Sequence, residues 1–482
     1  MITPPSGLQR RGAVTPGVDC AKWASPWQLE ATTCGGGGPP TNPVTFTGDP
    51  SGLGFTLTET ALQADGDSFS GLGILDNSSD PFGLLTIDYG TVALVLGAFT
   101  PEMDGLTDLS MPSVEVAMLF QPTLPALTSL SMPSYVKGFF YTIAPLLTTL
   151  SLPSFATGGF QPSMDGLTSL SLPVFATGAF IFSNANLTTL DLPSYISGNA
   201  SGTLNSVTTV NMPVFASGQF EFTMSALTTL SLPSYTSGAF LPTLDSLTSL
   251  SLPVFASGGF AGHYSALTTL SLPSYNPGLG NTFNPVINNV TTLTLASFAV
   301  GDFSPTIGNL ATVSLPAWTQ GQFAATGAGA LTTLSLPVWT TGTFTGYMPS
   351  LTTLTLPYWA DDGGGGFSAN MGALVTLSLP AVVNITGGFS LTGGEAASLV
   401  TFSMGSTLLK VQGNFILTGA KLNQASVDGI LVSLAALDGT GGTTSFDSQI
   451  VNLSGGTSAT PSATGLAAKA TLVGRGNTVT TN

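Results

Sequence analysis

The 482-residue sequence has very little charge of either sign. Charged residues make up 7% of the chain, against roughly 25% in average soluble domains. Lys137 is the only Lys or Arg between Lys22 and Lys410, and the formal net charge is -16. A surface with so few cations cannot neutralise phosphates, which excludes nucleic acid as a partner and argues against anionic lipid headgroups.

The sequence also lacks long apolar runs and an N-terminal targeting segment. The mean hydropathy is +0.41, but no apolar run reaches the ~20 residues that a membrane-spanning helix needs. We therefore predict no membrane insertion. Residues 1–11 hold two arginines with no apolar run after them, which predicts no Sec signal peptide in this numbering. A Gly- and hydroxyl-rich surface composition without that signal is expected of virion proteins, or of proteins exported by type I secretion.

Cysteine and histidine are nearly absent. Cys20 and Cys34 could close a local loop as a disulfide or remain two free thiols, and their number does not decide the compartment. They have too few potential ligands beside them for a metal site. No phosphate loop, metal cluster or dinucleotide fingerprint occurs, so we predict no cofactor, no metal and no catalytic residue.

What the sequence has in abundance is a repeat of about 20 residues. The unit reads L-T-T-L-S-L-P-S-[FY]-x-x-G-x-F, followed by about six variable residues. A second rhythm of two units alternates Ser with Val after the proline. Fifteen units are recognisable, and residues 84–99 resemble a degenerate earlier one; the units start at Leu106, Leu127, Leu147, Leu167, Leu187, Val207, Leu227, Leu247, Leu267, Val290, Leu310, Leu331, Leu351, Leu374 and Leu399.

Each position of the unit has a physical interpretation, for which residues 147–160 serve as the example. Leu150 and Leu152 alternate with hydroxyl residues, which predicts a strand with one apolar face. Pro153 ends that strand, and the aromatic residues after it supply apolar volume. Gly158 suggests a bend with positive φ. Because one unit cannot bury its own apolar face, the copies must stack, and the rest of each unit is expected to be extended, turn or short 3₁₀ structure.

The sequence thus predicts a mainly β fold: a parallel β-solenoid with a small α/β C-terminal cap. The motif L-x-x-L-x-L-P, followed by an aromatic residue and G-x-F, resembles a shortened BspA-type leucine-rich repeat over about Leu106 to Met404. That resemblance implies a curved or twisted solenoid used for adhesion and recognition. The chain departs from the family in its shorter period and in the missing Cys and Asn positions.

The ends of the chain differ from the repeats. We predict an irregular N-terminal attachment arm at 1–45, a cap with degenerate repeats at 46–105, solenoid repeats at 106–408 and the α/β cap at 409–482. In that last segment we expect helices over 423–438, with Ser426 and Asp428 as caps, and from Thr460-Pro461 to Leu472. Strands are expected at 450–453 and 477–481. Residues 454–476 resemble the C-terminal ends of repeat proteins in phage and environmental viral sequences.

Two enzyme classes deserve consideration. Residues 455–461 resemble the nucleophile motif of subtilisin-like proteases, but the mechanism needs a histidine beside Ser458, and His263 lies in a variable loop of the repeats. A glycosidase needs two carboxylates about 5–9.5 Å apart. The acidic residues in the loops are too far apart or are sequence neighbours; they are Asp104, Asp165, Asp245, Asp361 and Asp362. We predict that the chain is not an enzyme.

Two columns of side chains are candidate binding surfaces. The column of Thr149 and Ser151 predicts a flat hydroxyl lattice, which could bind glycans, protein or ordered water, or could serve only as a solvated face. The aromatic column that includes Phe155 becomes tryptophan at Trp318, Trp339 and Trp359; it is expected to fill the core, with an outward sugar-stacking strip as the alternative. The variable loops are where specificity is normally found.

These observations favour a structural phage virion protein: a fibre, spike or capsid-decoration element on the particle surface. Its arm would attach to other virion proteins, and its solenoid would contact a host-surface protein or glycan, as one chain or as a homo-oligomer. The alternatives are a bacterial cell-surface adhesin or S-layer-like protein, located at the cell surface, and a glycan- or ice-binding solenoid.

Overall fold

The structure is a computed structural model that describes residues 106–111, 114–359, 367–392, 394 and 397–482. It also describes five earlier strands, at 18–25, 28–34, 45–48, 84–88 and 94–99. The chain divides into two compact units, residues 1–225 and 226–482. In each unit the repeats form a parallel β-solenoid, which confirms the predicted fold class. The predicted arm (1–45) and N-terminal cap (46–105) fall largely outside the described residues and stay predictions.

Unit 1 starts with antiparallel pairing and continues in parallel. The first two strands form an antiparallel pair, and the third pairs antiparallel with the fourth. All later strands pair in parallel with the equivalent strands of neighbouring turns. The strands are β1 (Val18–Ser25), β2 (Gln28–Cys34), β3 (Thr45–Gly48), β4 (Leu84–Asp88), β5 (Leu94–Phe99), β6 (Asp108–Ser110), β7 (Val114–Phe120), β8 (Ser129–Ser131), β9 (Lys137–Phe140), β10 (Thr149–Ser151), β11 (Thr157–Phe160), β12 (Ser169–Ser171), β13 (Thr177–Ile181), β14 (Thr189–Asp191), β15 (Ser197–Thr203), β16 (Thr209–Asn211) and β17 (Ser217–Thr223).

Unit 2 continues the same pattern with parallel ladders and ends in an α/β segment. Its strands are β18 (Thr229–Ser231), β19 (Ser249–Ser251), β20 (Phe260–His263), β21 (Thr282–Val286), β22 (Thr292–Thr294), β23 (Asp302–Phe303), β24 (Thr312–Ser314), β25 (Phe323–Ala325), β26 (Thr333–Ser335), β27 (Phe344–Tyr347), β28 (Thr353–Thr355), β29 (Phe367–Asn370), β30 (Thr376–Leu379), β31 (Asn384–Ile385), β32 (Phe389–Leu391), β33 (Thr401–Met404), β34 (Lys410–Val411), β35 (Phe415–Leu417), β36 (Ile450–Asn452) and β37 (Thr478–Thr480). Its helices are α1 (Gln424–Ala435) and α2 (Ala463–Gly474).

In unit 1 a regular turn contains two short strands, one more than the sequence predicts. The first, such as β10, follows the predicted alternation; the second, such as β11, runs through the glycine-containing segment. Tight turns join them: the Phe155 N–H donates to the Leu152 carbonyl at 3.3 Å, and the Leu147 N–H donates to the Ala144 carbonyl at 3.0 Å. The second strand forms because each glycine pairs with the identical glycine of the next turn, which overrides low strand propensity.

Stacked aromatic rings fill the interior between the two strands. In unit 1, Phe155 and Phe175 are 5.0 Å apart between ring centroids with planes at 14°, and Phe160 and Phe180 are 5.3 Å apart at 2°. All four are fully buried, which confirms the aromatic positions as core. Each pair of this kind adds about 0.5–1.5 kcal/mol beyond the burial of its area. In-register pairing of successive turns therefore stacks these rings in columns in the core of unit 1.

Polar atoms on the buried rings reach the bend glycine of the turn before. In unit 1, Tyr195 Oη donates to the Gly178 carbonyl at 2.7 Å, and in unit 2, Tyr275 Oη donates to the Gly258 carbonyl at 2.9 Å. Burial raises the pKa of both tyrosines, because the core disfavours the phenolate. Tyr135 is different: its hydroxyl is buried without a hydrogen-bond partner.

The two-turn rhythm of the sequence has a structural counterpart on the surface. In unit 1, Ser194 Oγ donates to the Pro173 carbonyl of the preceding turn at 2.6 Å. The turns on either side have valine at this position, and Val174 and Val214 are 40% and 39% exposed. A serine that bonds backward therefore alternates with a valine that makes no such bond.

The C-terminal segment has the predicted helices, but the predicted caps are wrong. The N-cap of α1 is Asn423, whose side chain accepts the Ser426 N–H at 2.9 Å. Ser426 is buried within the first turn, where its Oγ accepts the Phe402 N–H. Asp428 Oδ1 instead accepts the N–H of Ser462, the N-cap of α2. Helical periodicity located the helices but not their first residues, because the caps depend on contacts between segments.

Arg475 connects the two helices of the C-terminal segment. The Arg475 guanidinium donates to the Leu437 and Ala435 carbonyls at 2.8 Å each, at the C-terminal end of α1. Arg475 is also the C-cap of α2. In the described part of the chain no helix is long and apolar enough to cross a bilayer.

Substitutions at the adjacent Gly258 and Gly259 of unit 2 test how closely successive turns approach each other. Gly258 has φ +112° and a Cβ there would lie 2.0 Å from the Gly238 carbonyl oxygen, whereas a Cβ on Gly259 would meet nothing within 4 Å. We expect Gly258→Ala to lower the free energy of unfolding by ~3 kcal/mol or more, because backbone must move. Gly259→Ala is the matched control and should leave urea unfolding unchanged. Equal effects would contradict the proposed contact.

A pair of tyrosines in unit 1 tests the hydrogen bond from ring to glycine. Tyr195→Phe removes the donor to Gly178 and should cost about 1 kcal/mol in the free energy of unfolding. Tyr135→Phe removes a hydroxyl that has no partner, so it should be neutral or stabilising. Urea unfolding of both variants checks this, and a larger loss for Tyr135→Phe would be incompatible with the geometry.

Candidate functional site

The outward side chains of the first strand in each turn form a regular polar surface, which we name the hydroxyl face. Its members are the first and third residues of each strand, nearly all Thr or Ser and mostly exposed, while the middle residue is apolar. In unit 1 these strands are β8, β10, β12, β14 and β16. In unit 2 they are β18, β19, β22, β24, β26, β28, β30 and β33. The predicted hydroxyl lattice is therefore present in both units.

The columns of this surface differ in whether their hydroxyls form hydrogen bonds within the protein. In several turns the threonine just before the strand bonds backward: Thr148 Oγ1 donates to the Thr128 carbonyl at 3.1 Å, and in unit 2 Thr248 does the same to Thr228. The hydroxyls of Thr149 and Ser151, which lie on β10 itself, have no intramolecular partner among the described residues. Equivalent positions in neighbouring turns pair in register, ~4.8 Å apart. These columns keep their hydrogen-bonding capacity for water or a ligand.

One carboxylate interrupts the hydroxyl face of unit 1. Asp191 Oδ2 accepts from Ser171 Oγ at 2.8 Å, and its Oδ1 accepts from the Asn211 amide at 2.6 Å. The three residues occupy the third position of consecutive strands, so the carboxylate is held between its neighbours along the solenoid. Both carboxylate oxygens have protein donors, and the arrangement is one of structure rather than of ligand binding.

The tryptophans of unit 2 lie in the core. Trp318, Trp339 and Trp359 are fully buried, and each indole N–H donates to the carbonyl of a bend glycine. The rings of Trp318 and Trp339 stack with centroids 5.1 Å apart. Core filling is thus confirmed, and the alternative of an outward sugar-stacking strip is wrong at these three positions.

An aromatic surface does occur in unit 1, at a place that the repeat pattern did not indicate. Phe139 is 50% exposed, and its ring centroid lies 5.5 Å from that of Tyr141. Phe140 and Thr142 between and after them are buried. The signal in the sequence is period-2 alternation on both sides of Phe140, which places its neighbours outward.

The residues that suggested a protease have structural roles or lie apart from each other in the fold. Ser458 is buried; its Oγ accepts the Leu422 N–H at 3.2 Å and donates to the Ala420 carbonyl at 2.9 Å. His263 is exposed in β20, where its backbone pairs with Val286. The serine hydroxyl is thus engaged on both sides by backbone groups.

Of the acidic residues that suggested a glycosidase, the structure describes Asp165 and Asp245. Asp165 and Asp245 are exposed and belong to different units, and Asp245 accepts a hydrogen bond from Ser265. Asp104, Asp361 and Asp362 lie outside the described residues. Among the residues that the structure describes, no group of three or more His, Cys, Asp or Glu side chains could hold a metal ion.

Comparison with known proteins gives no relative: no family model, no curated protein and no solved structure matches this chain. The parallel β-solenoid is the part of the BspA-type resemblance that the structure bears out.

The role of Ser458 can be tested by removing its hydroxyl. Ser458→Ala leaves the Leu422 N–H without its acceptor, which should lower the free energy of unfolding by about 1–3 kcal/mol. Thr457 is exposed, so Thr457→Ala is a matched control that we expect to be neutral. Thermal and urea unfolding measure both variants. A neutral Ser458→Ala would contradict a structural role for this hydroxyl.

Proposed function

We propose that this chain is a structural protein of a phage-type virion, in which residues 1–45 attach to other particle proteins and the solenoid is presented outward. The observation that carries the proposal is how each turn divides its side chains. The aromatic rings and the polar atoms attached to them lie in the core. The side chains that point outward are mostly hydroxyls, and few of them are charged. Such a chain is built as a stiff, weakly charged display surface.

The construction of the turns supports stiffness. In unit 1 the Ala156 N–H donates to the Val136 carbonyl at 2.7 Å, and the Ala176 N–H donates to Ala156 at 2.8 Å. The same bond thus recurs from turn to turn beside the stacked rings. A solenoid held in this way resists bending locally, because each turn contacts only its neighbours and every contact is repeated.

The surface composition supports a role outside the cell in which the chain is made. Hydroxyls on the strands keep the surface polar without charge, and the strands of the hydroxyl face are three residues long in most turns. The BspA-type motif and the phage-like segment at 454–476 point to adhesion and to a virion, respectively. A bacterial surface adhesin is the second candidate, because the BspA-type motif favours it equally.

Mass spectrometry of purified virus particles and of host surface fractions tests the proposal. We expect the full chain in particles, and a variant lacking residues 1–45 to be lost from them. Circular dichroism and thermal unfolding serve as the control, since the truncated chain must keep the β-solenoid for its loss to report on attachment. Recovery of the full chain only in the cell-surface fraction would reject the virion proposal in favour of an adhesin.

A further inference from the structure

One turn of unit 1 presents outward side chains unlike those of the turns beside it. Along and after β9, Lys137, Phe139 and Ile143 are exposed and Tyr141 is half-buried, while Phe140 between them is buried. Period-2 geometry puts the four side chains in one row across the second sheet. We name this row the aromatic ridge. In the next turn the equivalent positions are Thr, Gly, Gln and Ser, so the ridge is one turn wide.

The two rings of the ridge form one surface. Their centroids are 5.5 Å apart and their planes are tilted by 39°. In the described part of the chain, no other two rings that reach solvent are in contact. The ring faces of Phe139 and Tyr141 are the negative part of the aromatic quadrupole. They attract the polarised C–H groups of a sugar ring and also pack against apolar groups.

Gly159 in the following turn makes room for these rings. A Cβ on Gly159 would lie 2.7 Å from Phe139 Cδ1 and 3.3 Å from Tyr141 Oη. Its φ lies outside the left-handed region, so the backbone does not require glycine there. The equivalent Gly259 of unit 2 has open space instead. The missing side chain at position 159 is therefore explained by the rings that lie over it.

Unpaired amides flank the ridge. Gln121 and Gln161 occupy the position of Tyr141 in the turns before and after it, at the usual strand separation of ~4.8 Å. Both are exposed, and neither amide has a partner among the described residues. Two amides and a phenol hydroxyl thus stand in one line, able to donate to and accept from the hydroxyls of a ligand.

The charge of the ridge is exceptional for this chain. Lys137 is the only cation between Lys22 and Lys410, in a chain of net charge -16. It is exposed, its strand partner in the next turn is Thr157, and no carboxylate pairs with it among the described residues. A single cation at the head of the ridge is complementary to one negative group on a ligand.

We propose that the aromatic ridge binds a sugar that carries a carboxylate. Phe139 and Tyr141 stack on the apolar face of the sugar ring, the glutamine amides bond its hydroxyls, and Lys137 pairs with its carboxylate. A protein partner fits less well, because a stable interface needs about 800 Å² per partner and the ridge is one turn wide. The proposal deepens the surface-contact role proposed above.

The test uses the purified full chain with sialyllactose and oligogalacturonate as probes, each beside its derivative with the carboxylates converted to amides. We expect each acid to bind at least ~10-fold more tightly than its amide, a difference of ~1.4 kcal/mol. Phe139→Ala and Tyr141→Ala should each weaken binding of the acids by ~10-fold, because stacking is lost. Lys137→Met should remove the preference for the acid while leaving amide binding unchanged.

Two matched controls separate the site from general effects. Gly159→Ala displaces the rings without removing a contact group and should weaken binding, whereas Gly259→Ala should not. Ser151→Ala on the hydroxyl face should bind like the unmodified chain. Thermal unfolding of every variant shows that the solenoid is retained.

No binding to either acid above the level of Phe139→Ala would overturn the proposal, as would an acid preference that survives Lys137→Met. Glycan binding is measured on the isolated chain, so it is independent of where the chain is located. A chain found in particles that fails to bind overturns only the ridge. A chain that binds but is absent from particles overturns only the virion proposal.

Discussion

The close approach of the bend glycines to the glycines of the previous turn is the contact on which the geometry of the solenoid in unit 1 depends. In unit 1 a Cβ on Gly178 would lie 1.7 Å from the Gly158 carbonyl oxygen, so the two backbones touch where no side chain can intervene. This contact sets the register of the second sheet. The same register puts Phe160 over Phe180, and it points the Gly178 carbonyl at the hydroxyl of Tyr195. Strand pairing, ring stacking and the buried hydrogen bonds are thus consequences of one backbone contact.

Local patterns in the sequence predicted what depends on one turn alone. The alternation around Leu150 gave the first strand, and the volume of Phe155 and Phe160 gave the core. The second strand was missed because Gly158 favours it only when the same glycine stands one turn away. The cap at Asn423 was missed for a similar reason, since Ser426 is drawn into contact with another segment. Information that lies between turns or segments is not visible in a single window of sequence.

The two candidate surfaces also differ in how far the sequence predicts them. The hydroxyl face follows from composition and alternation, so it was predictable. The aromatic ridge was not predictable from the repeat, because Phe139 and Tyr141 differ from the residues that recur at their positions. In unit 1 the first sheet presents a nearly uniform surface, while the second presents side chains that change from turn to turn. The side chains that distinguish one turn from another thus lie on a strand as well as in the variable loops.

The alternation of Ser194 with Val174 and Val214 makes the chemical repeat twice as long as the geometric one. Loss or gain of a single turn would preserve the backbone stacking but would put two serines or two valines in succession. Loss or gain of two turns would restore every neighbour, including the bond from Ser194 to the Pro173 carbonyl. In unit 1 the pair of turns is therefore the chemical repeat, and only the loss or gain of whole pairs would preserve it.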